Sequence, residues 1–60
     1  MDKSTIIIFT LADGTPIKAT FYSIDEQDYT TKREQAKQFI LNDKKQPILQ
    51  EILQQKYLFN

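Results

Sequence analysis

Three carboxylates within four residues, Asp25, Glu26 and Asp28, are the first group in this chain whose type and spacing could do chemistry. Paired carboxylates can share a proton or hold a divalent cation. A metal-dependent enzyme built on Asp25-Glu26-Gln27-Asp28 is therefore one class to weigh. The segment lacks the spacing and the glycine of an EF-hand loop. It also precedes a predicted helix, and negative charge at a helix N-terminus is favourable by about 0.3–1 kcal/mol per group. A structural role is the simpler expectation for all three. Asp13-Gly14 could belong to a phosphate loop, but with one glycine in the chain no glycine-rich cradle can form. A turn is expected there.

A second set is basic. Lys32, Arg33 and Lys37 lie on the predicted first helix, and Lys44 and Lys45 in the turn after it. With Tyr29 beside them they could grip phosphates or single-stranded bases. Glu34 and Asp43 dilute the patch, and eight basic against eight acidic residues leave no net charge. A solvated helix face is the plainer expectation, with weak nucleic-acid binding as the alternative function. Residues 1–30 carry two basic against five acidic residues and residues 31–60 six against three, a split that local variation accounts for. Seven glutamines, most of them after residue 45, suit either polar contacts or a solvated helix.

Histidine and cysteine are absent. The commonest general base and metal ligand are thus missing, and so is the thiolate nucleophile. No catalysis, cofactor or metal site is expected. The lack of cysteine fits a reducing compartment. Met-Asp-Lys-Ser leads into an apolar run of only Ile6 to Phe9, too short for a secretory signal or for a span of about 20 apolar residues. The cytoplasm is the expected location, with no membrane partner.

The elements that hold these residues follow from pattern. Residues 4–11 are rich in β-branched and aromatic side chains, which predicts a strand. Asp13-Gly14 is a strong hairpin signal, and residues 17–24 form the returning strand with Pro16 at its start. A turn with Gly14 as a bulge sets Phe9 against Ile17, Ile7 against Ala19 and Thr5 against Phe21; a two-residue turn shifts the pairing by one. The first register is preferred, since strand two then alternates cleanly. After an acidic connector over residues 25–30, Thr31 and Glu34 match a capping box, which predicts a helix to about Leu41 capped by Asn42. Ala36, Phe39 and Ile40 are its apolar stripe. Pro47 suits the start of a second helix, where Ile48, Leu49, Ile52, Leu53 and Tyr57 make an amphipathic stripe. The fold expected is a single α+β domain of order ββαα, a hairpin packed on two short helices.

Eight Ile, five Leu, four Phe and three Tyr suffice for a small core and argue against disorder. A chain this short still buries only roughly 60% of its unfolded surface. Two short helices cannot cover both faces of a hairpin. Ile6, Ile8 and Tyr22 are left on the far face, and Leu58 and Phe59 trail past the second helix. These five residues are the candidate partner interface. The functional expectation is a non-catalytic protein–protein interaction module, accessory or inhibitory, acting as a homodimer or on a larger partner.

Overall fold

The computed structural model describes residues 4–56. Its elements in chain order are β1 (Thr5–Leu11), β2 (Pro16–Phe21), α1 (Glu26–Lys44) and β3 (Ile48–Gln55). The strands form one antiparallel sheet of order β2-β1-β3. The α+β class is as expected, but the order is ββαβ, with one helix among the described residues where two were expected.

The hairpin follows from its turn. Gly14 N–H donates to the Leu11 carbonyl and Leu11 N–H to the Thr15 carbonyl, each at 2.9 Å. Gly14 stands at φ 90°, a conformation in which a Cβ is strained. The Asp13 side chain closes the loop by accepting from Thr15 N–H at 2.9 Å. This is the bulged register: Phe9 lies against Ile17, Ile7 against Ala19 and Thr5 against Phe21.

The helix begins earlier than the capping box predicts. Asp25 is the N-cap, in an extended conformation, and its carboxylate accepts from Asp28 N–H at 2.8 Å. Residues 26–30 are therefore the first turn of α1 rather than a connector, and Thr31 and Glu34 fall inside it. The early start has a packing cause. It aligns Tyr29, Ala36 and Ile40 at i, i+7 and i+11, a stripe that buries Tyr29 and Ile40. The Tyr29 ring lies 5.8 Å from that of Phe21. At the other end α1 runs past Asn42 to Lys44, and Lys45 takes the left-handed cap at φ 58°, donating its N–H to the Leu41 carbonyl at 3.0 Å.

The predicted second helix is the strand β3. Its spacing suits a helix, but β1 decides otherwise. In a lone hairpin β1 would hold buried backbone groups along an unpaired edge, and such groups demand partners. β3 supplies them, pairing Ile8 with Ile52 and Phe9 with Glu51. Register shifts at Thr10/Leu11 and Ile6/Ile7 leave Leu49 and Gln54 without opposite residues. The neighbours Ile52 and Leu53 then fall on opposite faces of the sheet, whereas a helix would keep them on one. β1 is thus the central strand. Its alternate residues Ile7, Phe9 and Leu11 form the core with Tyr29 and Ile40, flanked by Ile17, Ala19, Phe21, Ala36 and Ile48.

Candidate interaction surface

Strand pairing fixes what the sheet shows on the face away from α1. Ile8 stands between Lys18 and Ile52, and Ile6 between Thr20 and Gln55. Paired residues point to the same side. Ile6, Ile8 and Ile52 therefore make a small apolar centre ringed by Thr10, Lys18, Thr20, Gln50 and Gln55. Ile52 is 47% exposed, and Ile6 and Ile8 are half-buried. Among the described residues no element covers this face. Tyr22 follows β2 directly and is exposed. Leu58 and Phe59, the other two expected interface residues, lie outside the described residues.

A second surface is a groove of about 540 Å³ between β2 and α1. Ile17, Ala19 and Phe21 form its floor and Ala36, Phe39 and Ile40 its wall. Lys32, Gln35, Asp43 and Lys44 line its rim. Phe39, expected in the core, is 71% exposed here. It lies about 60° around the helix from Ala36 and about 80° from Tyr29, by the 100° turn per residue. A helix start at Thr31 leaves Tyr29 outside the helix, and Ala36, Phe39 and Ile40 then read as one stripe with no mark separating core from groove wall. β2 is also an edge strand. Because Leu11 bonds to Thr15, the hydrogen-bonded pairs along the hairpin alternate, and Lys18 and Thr20 turn their backbone groups away from β1.

The basic residues are brought together only in part. Glu51 on β3 takes Arg33 through Nη2 at 2.9 Å and Lys37 through Nζ at 2.8 Å. Hydrogen bonds from Lys37 and then Arg33 hold the Glu51 carboxyl below its ordinary range, and Glu51 in turn raises Lys37 and Arg33. Lys32 pairs with Asp28 at 3.1 Å and donates to the Tyr22 carbonyl. Lys44 lies 3.5 Å from Asp43, and Lys45 is the helix cap. From Lys32 to Lys44 the helix rises about 18 Å. The five cations are strung along it, two of them held by one carboxylate.

The three carboxylates also have structural partners. Asp25 caps α1, and Glu26 meets Lys56 at 2.7 Å. Asp28 accepts from Ile24 N–H at 3.0 Å; that bond and Lys32 lower its pKa. Among the described residues no three of His, Cys, Asp or Glu gather as metal ligands, and no helix is long and apolar enough to cross a membrane. No protein-family model, no curated protein and no solved structure matches the chain.

Proposed function

We propose that this chain is a small non-catalytic interaction module that docks on another protein through the bare face of its sheet. The observation that carries this reading is the apolar centre of Ile6, Ile8 and Ile52, which no described element covers. Burying such a side chain contributes roughly 1.5–3 kcal/mol, so two or three of them could dominate an association. The ring around them, Thr10, Thr20, Gln50 and Gln55 with Lys18 as its one charge, adds hydrogen-bonding groups with little desolvation of charge.

The test is a photo-crosslinking side chain placed at position 52, with a second at Gln38 on the exposed side of α1 as control. A discrete protein adduct from position 52, absent from position 38 and lost when Ile8→Lys is added to a chain that still folds, supports the proposal. Adducts that form equally from both positions, or from neither, overturn it.

A further inference from the structure

We propose that two copies of this chain join along β2, antiparallel and about a two-fold axis at Ala19, into one six-stranded sheet with both helices on the same side. This interface is distinct from the bare face and stands independently of the reading above.

The two edges of the sheet differ. β3 is broken by two register shifts, a device that discourages further pairing. β2 pairs without interruption over its six residues. The usable part of its edge is narrow, because Pro16 has no N–H to offer. Lys18 and Thr20 are the residues within the strand that turn both N–H and C=O outward. A two-fold antiparallel pairing engages all of these groups only if Lys18 stands opposite Thr20 of the other copy. Ala19 then meets its own counterpart on the axis. The same register keeps the two Lys18 ammonium groups from facing each other, as a pairing centred on Lys18 would force.

The charges beside the groove are self-complementary in this arrangement. Lys32 lies at the Phe21 end, where it reaches the Tyr22 carbonyl, with Asp28 bonded to it. Asp43 and Lys44 close α1 at the opposite end, beside the hairpin turn that Gln46 and Pro47 hold. The two-fold brings Lys32 and Asp28 of one copy to Asp43 and Lys44 of the other, opposite signs together and no net charge. The apolar parts also match. Three strand spacings separate the two β1 strands, about 14 Å. Helices packed over them stand roughly 5 Å farther apart than helices in direct contact. Two Phe39 rings, now largely in water, face each other across that gap.

The experiment is sedimentation equilibrium of the full chain from low to high micromolar concentration, with melting temperature measured alongside. Thr20→Pro removes an outward N–H that the hairpin does not use. Each dimer loses two hydrogen bonds, so the dissociation constant should rise about thirtyfold or more. Phe39→Lys changes an exposed residue outside the core and should give the same loss if the proline variant fails to fold. Ile52→Lys should leave the dimer intact. In this cysteine-free chain Ala19→Cys should form a symmetric disulfide on mild oxidation, its Cα atoms being about 4.5 Å apart in a non-hydrogen-bonded pair. Gln50→Cys on the far strand should not. A native chain that stays monomeric throughout the range overturns the proposal. So does a dimer that survives both Thr20→Pro and Phe39→Lys, or one that crosslinks through position 50.

Discussion

Glu51→Gln tests how α1 is held to the sheet. Glu51 pairs with Phe9 and faces the helix, where Arg33 and Lys37 close on its two oxygens. The side chains of Arg33, Glu51 and Lys37 are 36%, 25% and 24% exposed, so the pairs stand between the solvated and the buried case. Exposed pairs contribute about 0.2–1 kcal/mol each. Allowing for the amide's remaining hydrogen bonds, the variant should lose about 1 kcal/mol, and its melting temperature should fall by about 4–8 °C. High salt should narrow the gap. The pH dependence has a definite sign. A carboxyl lowered by folding adds stability above its unfolded pKa of about 4.3, and that stability is lost as pH falls through the folded value. Lys37 is raised, so its share is present below about pH 10.4 and is lost as pH rises through its folded value. Thermal melts followed by circular dichroism from acid to alkaline pH should show the full gap near neutrality, its collapse in acid, and a partial narrowing in alkali, where Lys37 loses its charge and Arg33 keeps its own. Equal melting temperatures at pH 7, or a gap unchanged in strong acid, would refute the reasoning.

The core and the helix end give two further predictions. Phe9 is 0% exposed at the centre of the cluster, and Phe9→Ala should cost about 3–5 kcal/mol. A chain of this length holds only about 3–9 kcal/mol at the usual density per residue, so urea titration should show most or all of the cooperative transition gone. Lys45→Gly should act oppositely, because Lys45 occupies a left-handed cap that glycine enters without steric cost. A gain of about 0.5–1 kcal/mol should appear as a melting temperature several degrees higher; a decrease would show that the lysine side chain matters more than the backbone.

Local chemistry was legible in the sequence, and long-range pairing was not. Asp13-Gly14 marks the hairpin but allows two registers, and the clean alternation of strand two favours the bulged one that the sheet adopts. Ile6 and Ile8 fall on the face away from the helix in that register. The helix is legible in the sequence but its start is not, because Thr31 and Glu34 satisfy the capping pattern as well as Asp25 does. What separates them is Tyr29 packing on Phe21, a contact between elements. β3 is not legible as a strand because Ile48, Leu49, Ile52 and Leu53 suit a helix by spacing, and bulges hide the alternation of the strand. Several features of the candidate surface depend on that strand. The place of Glu51 between Arg33 and Lys37 rests on β3. So does the standing of β2 as one edge of a three-stranded sheet rather than half of a hairpin.

The placing of β3 beside the central strand also sets an order in time. Ile8 meets Lys18 close along the chain, but its other partner, Ile52, lies beyond the hairpin and the whole of α1. Hairpins close within microseconds and helices grow faster still, whereas a pairing that spans most of the chain waits on both. In that interval Ile6-Ile7-Ile8-Phe9 presents an open edge with neither charge nor proline to discourage another strand. On a ribosome the interval lasts as long as the rest of the chain takes to emerge. At high concentration the vacant place can be taken by β3 of a neighbouring chain, which offers the same side chains in the same register. The last strand therefore closes the fold, and refolding yield should fall with protein concentration even where the finished domain is stable.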